Sequence, residues 1–227
     1  MATLIAAVRH PQKEDDIDGI HRGDAALITP QGEREAAVLV ERARLMDLDG
    51  VISSDCPRTF SLATRIANAI GCKVETNAAF REWGMPSFMV GQSVRDNDLV
   101  REAKLLMRAG FDSDIIVGDG ESRTTIEDRT TRAIEYLLGY PRERVLLVSH
   151  AKFICGMITM TIWGTLKGYY QGPDRALKLD NTGVSVFTRE ADRRDGTQRL
   201  VVKTVNDVSH QEAEFYHDVR RMFTAAE

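Results

Sequence analysis

Three short stretches carry side chains that could do chemistry together. Arg9-His10 closes the apolar run Leu4–Val8, Ser53-Ser54 follows Val51-Ile52 with Arg58 one short turn later, and Ser149-His150 closes Val145–Val148. Unbroken apolar runs of this kind read as strands buried on both faces, as inside parallel sheets. Ligands of open α/β sheets sit beyond the carboxyl ends of the strands. A parallel sheet would therefore bring two arginines and two histidines to one edge. Such a cluster repels itself in a partly dry cleft unless an anion occupies it. The planar arginine fork suits a tetrahedral phosphate, and a histidine with one unprotonated ring nitrogen can attack phosphorus. The remaining cations would spread the charge of the transferring group. A helix opening at Ala151 would add free amides and the positive end of its dipole.

The elements that must hold these residues can be read in order. Pro11–Ala26 has no apolar period and reads as a loop. Thr29-Pro30 announces a helix, with Thr29 as cap and Pro30 preset for the first helical position. A second helix starts at Pro57 and closes at Gly71, and a short strand is expected over 73–76. Leu99, Ala103, Leu106 and Met107 suggest a helix inside a lid or insertion spanning 85–120. Thr124 to Glu127 fits a capping box, the helix running on to Gly139. Another helix, 151–163, follows the Val145 strand, with Met157, Met160 and Trp163 read as core. Late strands are expected over 183–188 and 199–205, then a C-terminal helix from about Gln211 to Ala226, with His210 and His217 at the surface. Alternating strands and helices of this kind imply a three-layer α/β/α sandwich with a largely parallel sheet. All 227 residues are expected to form one domain.

A formal net charge of −4 argues against a nucleic-acid partner, which needs a basic footprint. No apolar run approaches the length of a membrane span. The three cysteines Cys56, Cys72 and Cys155 lack metal-type spacing and read as reduced thiols of a cytoplasmic protein.

In chain order these residues resemble the histidine phosphatase superfamily, also called phosphoglycerate mutase-like. Val8-Arg9-His10 is similar to its Arg-His signature, and Leu27-Ile28-Thr29-Pro30-Gln31-Gly32 to its first helix start. Ser53-Ser54-Asp55-Cys56-Pro57-Arg58, Arg81-Glu82, Gly120-Glu121-Ser122 with Arg129, and Val148-Ser149-His150 match further segments, the Gly-Glu-Ser start leaning toward the phosphatase branch. The resemblance implies a nucleophilic His10 that forms a phosphohistidine. It implies that Arg9, Arg58 and His150 bind the phosphoryl oxygens, and that Glu82 is the acid and base of a metal-independent reaction without cofactor. For Glu82 the residues lend partial support, because a carboxyl beside Trp83 and Phe80 could be kept protonated by its apolar neighbours.

The phosphate loop departs from the family pattern. Pro11 stands where Gly is usual, Lys13 where a small hydroxyl residue is common, Asp16 near an expected Asn, and Leu62 in place of a Thr. Lys13 could supply a replacement donor. Asp15 and Asp16 must point outward or meet a cation, unless the acidic loop receives a basic part of the substrate. The expected partner is a phosphorylated small molecule or a phosphoprotein, with a homodimer left open. Two alternatives stand beside the phosphatase: a phosphoglycerate-type mutase using the same phosphohistidine, and a weakly catalytic module that binds a phospho-ligand.

Overall fold

In the computed structural model, which describes residues 3–211, the chain folds around a six-stranded sheet. The strands are β1 (Leu4–Arg9), β2 (Gly50–Ser53), β3 (Val74–Thr76), β4 (Arg144–Ser149), β5 (Val184–Ala191) and β6 (Gln198–Asp207). The helices are α1 (Glu14–Asp18), α2 (Pro30–Arg44), α3 (Pro57–Ile70), α4 (Asp98–Ala109), α5 (Arg123–Gly139), α6 (Ala151–Trp163) and α7 (Pro173–Ala176). The strand order is β3-β2-β4-β1-β5-β6. The first four strands run parallel, and the β5–β6 hairpin closes the sheet antiparallel at the β1 side.

Side chains of a strand alternate between faces, and here both faces are covered. Ile5, Ala7, Val145 and Leu147 pack with Ile126, Ala133 and Leu137 of α5 and with Phe153, Ile154 and Met157 of α6. Ala6, Val8, Leu146 and Val148 pack with Ala36, Leu39 and Ala43 of α2 and with Leu62, Ala63 and Ile66 of α3. The apolar runs are unbroken for this reason, and the result is the three-layer α/β/α sandwich expected. Register then sets the active edge. Arg9 lies opposite Ser149, and Ser53 opposite Val148, so β2, β4 and β1 end side by side.

Helix starts follow local chemistry. The Thr29 hydroxyl accepts from the Gly32 amide at 3.0 Å, and Pro30 and Pro57 open α2 and α3. Gly32 is required by a close approach: a Cβ there would lie 2.2 Å from the Gln12 carbonyl oxygen. Helix α2 can therefore press against the loop that follows His10.

Five local expectations need correction. Residues 11–26 are not all loop, since Asp16 caps the Lys13 amide and a short α1 forms. Helix α5 is capped by Ser122, whose hydroxyl accepts from the Thr125 amide, and not by Thr124. Helix α4 exists, but it buries Val100 and Ala103 and leaves Leu99 and Leu106 exposed. Trp163 is exposed at the end of α6. His210 is fully buried, bonded to Arg42 and Thr182. The expected C-terminal helix beyond Gln211, with His217, lies outside the described residues. Cys56, Cys72 and Cys155 are free thiols. Among the described residues no helix is long and apolar enough to cross a membrane.

Candidate active site

The three strand ends open onto a cavity of about 620 Å³ whose wall includes His10, Lys13, Arg58 and Glu82. His10 is 3% exposed. Its Nδ1 lies 2.8 Å from the Pro11 carbonyl oxygen. A carbonyl can only accept, so the proton sits on Nδ1 and Nε2 keeps its lone pair. Pro11 offers no amide, yet its carbonyl orients the imidazole. Burial, then the charges of His150, Arg58 and Arg9, push the His10 pKa well below the ordinary histidine value.

Arg58, on the first turn of α3, is also buried. One terminal nitrogen donates to the Gly23 carbonyl at 3.1 Å and meets Asp24 at 3.4 Å, and the other donates to His150 Nδ1 at 3.2 Å. Because Arg58 can only donate, His150 Nδ1 accepts and its Nε2–H donates to Ser54 Oγ at 3.0 Å. Burial and the Arg58 charge keep His150 neutral. The two imidazoles meet edge to face with centroids 5.3 Å apart.

Arg9 is paired within the protein through both terminal nitrogens. Its terminal nitrogens donate to the Leu179 carbonyl at 2.8 Å and to Asp16 at 2.9 Å. Neither Arg9 nor His150 is among the residues lining the cavity. His150 instead holds Arg58 through Nδ1 and packs against the His10 ring. Two donors in this cluster, Nε of Arg9 and Nε of Arg58, are buried without a partner among the described residues.

The acidic loop is neutralised from within. Asp15 takes Lys13 Nζ at 2.5 Å and the Arg22 amide at 3.1 Å, Asp16 takes Arg9, and Asp18 takes Arg22. These three carboxylates are paired, while Asp24 of the same loop lines the cavity beside Arg58.

Glu82 is held by backbone, without the wholly apolar surround the sequence suggests. Its carboxylate accepts from the amides of Trp83 (3.0 Å), Phe153 (2.9 Å) and Lys152 (3.2 Å). Two of the amides expected to be free at the start of α6 are therefore taken by Glu82. Arg81 pairs with Asp55, not with Glu82, through two bonds of 2.6 and 2.8 Å. The loop bearing Glu82 is tied down by residues whose part was not readable from the sequence. Arg129 donates to the carbonyls of Ala79 and Arg81, Glu121 pairs with Arg129 and takes the Gly84 amide at 2.6 Å, and Ser149 Oγ donates to the Phe80 carbonyl at 2.8 Å. The Gly120-Glu121-Ser122 segment with Arg129 thus acts by fixing the position of Glu82.

Helix α4 supplies wall residues that sequence reasoning missed, Lys104, Met107 and Arg108, and α6 supplies Lys152. The signal for Lys152 was close at hand, because it follows His150 by two residues. Lys104 and Arg108 reach the cavity only through the fold.

The model of the Histidine phosphatase superfamily (branch 1) matches residues 5–201. The chain belongs to this superfamily. It is 30% identical over 225 residues to the probable phosphoglycerate mutase GpmB of Citrobacter koseri, covering 94% of this chain and 97% of that protein. Among solved structures it resembles a mycobacterial glucosyl-3-phosphoglycerate phosphatase in complex with VO3, with a TM-score of 0.72 and 19% identity, covering 90% of this chain and 99% of the other. It also resembles a phosphoserine phosphatase mutant from Entamoeba histolytica, with a TM-score of 0.70 and 20% identity, covering 92% and 100%. At such identities the structural likeness speaks for the fold of this superfamily member.

Proposed function

We propose that this superfamily member hydrolyses phosphomonoesters through a phosphohistidine on His10, without a metal. The observation that carries this reading is the His10 tautomer: Nδ1–H is held by the Pro11 carbonyl, and Nε2 keeps its lone pair at a cavity shared with Arg58. Nε2 attacks phosphorus, a P–N bond forms, and the P–O bond to the leaving group breaks. The leaving oxygen takes a proton from Glu82. In the second half, water attacks phosphorus, the P–N bond breaks, and Glu82 takes the proton from water. Arg58 faces the phosphoryl oxygens, and His150 fixes Arg58 through its Nδ1. The unpartnered Nε donors of Arg9 and Arg58 also favour an anion, since a buried donor without a partner costs roughly 1–3 kcal/mol. Lys13 offers a further cation on the wall, and Asp16 acts through Arg9.

The kinship to a protein named phosphoglycerate mutase supports a second reading, in which the phosphohistidine returns its phosphoryl group to a bound sugar acid. Turnover of 4-nitrophenyl phosphate in chelator tests the first. Activity should vanish in His10→Ala, and in Glu82→Gln it should fall by a factor on the order of 10² to 10⁴. Undiminished turnover in His10→Ala rules the phosphohistidine out. Isomerisation of phosphoglycerate faster than its hydrolysis would select the mutase.

A further inference from the structure

The cavity holds more positive charge than a phosphoryl group at His10 accounts for. Lys152 from the first turn of α6, and Lys104 and Arg108 one turn apart on α4, line the same cavity as His10 and Arg58. Lys152 Nζ donates to Tyr170 Oη at 2.9 Å and lies 4.8 Å from the centroid of that ring. The Arg108 guanidinium lies 5.5 Å from the same centroid, so Tyr170 gathers two cations. The carboxylate that Arg108 meets among the described residues is Asp174, at 3.8 Å. Among the described residues the lysines found in ion pairs are Lys13 and Lys203, and neither Lys104 nor Lys152 has such a partner.

Lys104 is half-buried. Burial, then the charges of Lys152, Arg108 and Lys13, push its ammonium below the ordinary lysine range. Cations at i and i+4 on one helix also cost helix stability. The two carboxylates on the cavity wall do not relieve this: Asp24 meets Arg58, and Glu82 sits on backbone amides. Lys13, on the same wall, is already paired with Asp15 at 2.5 Å. Met85 and Met107 supply apolar wall within the same cavity, whose volume is that of a small-molecule site.

We propose that Lys104, Lys152 and Arg108 bind a second anionic group of the substrate, a carboxylate or a phosphate, while its phosphoryl ester meets His10 and Arg58. The substrate class is then a small phosphomonoester that carries another negative group. This rests on the phosphomonoester reading given above and adds what lies at the far end of the molecule. A basic peptide is disfavoured by the same charges. A single-charge-centre ester would fill the His10 end and leave the three cations unmatched.

The test uses non-hydrolysable probes on the wild-type protein, so it does not depend on turnover. Butylphosphonate, 4-phosphonobutanoate and butane-1,4-bisphosphonate share one phosphonate and differ in what the other end carries. By calorimetry, one of the two doubly anionic probes should bind about tenfold or more tightly than butylphosphonate. Which of them leads distinguishes a carboxylate from a phosphate at the second position. Lys104→Met and, separately, Lys152→Met should erase most of that advantage and weaken butylphosphonate much less. The advantage should also shrink with added salt in the wild type, a measurement that needs no variant. Three probes binding within twofold of one another would overturn the subsite, as would variants that weaken all three equally. If none of the probes binds, the subsite falls, and the phosphomonoester reading is decided by turnover of 4-nitrophenyl phosphate. If butylphosphonate binds and 4-nitrophenyl phosphate is turned over without any second-anion preference, only the subsite falls.

Discussion

Replacing Asp16 with Asn perturbs the phosphate cluster at one charge. The carboxylate holds Arg9 at 2.9 Å, the Lys13 amide at 3.1 Å and Asn181 Nδ2 at 3.4 Å. The remaining terminal nitrogen of Arg9 donates to the Leu179 carbonyl at 2.8 Å. Asn keeps one oxygen for the Lys13 amide and removes the negative charge that competes for Arg9. A hydrogen bond to a charged group contributes roughly 1.5–3 kcal/mol when shielded. The side chains here are 17% and 24% exposed, so about 1–2 kcal/mol is the appropriate range after screening. An arriving phosphate must offset that amount to draw Arg9 toward itself. Since about 1.4 kcal/mol is a factor of ten, Asp16→Asn should tighten inorganic phosphate binding about tenfold. The same change should lower stability by up to about 1–2 kcal/mol, the contribution of the pair it removes. Calorimetry at fixed low ionic strength reads the first effect and urea unfolding the second. Phosphate affinity unchanged within twofold, or weakened, in a protein that still unfolds cooperatively would refute the reasoning.

Two further outcomes follow from packing and from a buried titratable group. A Cβ at Gly156 would lie 2.9 Å from the Trp83 ring, which stacks on Phe111 at 5.6 Å, so Gly156→Ala should cost about 1–3 kcal/mol in urea unfolding. Because Trp83 adjoins Glu82, its fluorescence should shift and turnover should slow together. His210 is held neutral by burial and then by the Arg42 charge, with a pKa pushed down to about 4. Between about pH 6.5 and pH 4 the unfolded chain takes up a proton that the folded chain does not, so stability falls as pH drops through that window. The loss should approach roughly 2–3 kcal/mol. His10 and His150, also lowered, act with the same sign. His210→Gln should therefore flatten part of the fall between pH 7 and pH 4.5, and a slope identical to wild type would exclude His210 as a contributor.

Much of the scaffold was legible because its signals are local. An apolar run such as Leu4–Val8 states its own burial on both faces, and Thr29-Pro30 or Pro57 with Gly71 states where a helix begins or ends. Errors arose where a local pattern admits two answers. Leu99 and Leu106 have helical spacing, but the buried face of α4 is set by Val100 and Ala103, and only the packed neighbour decides which face is covered. His210, polar and near the C-terminus, looked like surface until Arg42 and Thr182 closed around it.

The amino-acid order alone determined the parallel strands and the residue types at their ends, because strand burial and end chemistry depend on adjacent residues. It therefore brought Arg9, His10, Arg58 and His150 to one edge, while the part of Glu82 was implied by the family resemblance. Only the tertiary structure decided what each of them touches. Asp16 meets Arg9, Glu82 settles on the amides of α6, and Lys104 and Arg108 on α4 join Lys152 at the cavity wall. Charge pairing acts over a few ångströms between residues far apart in the chain. It is set by how helices and loops pack, and for that reason no local pattern discloses it.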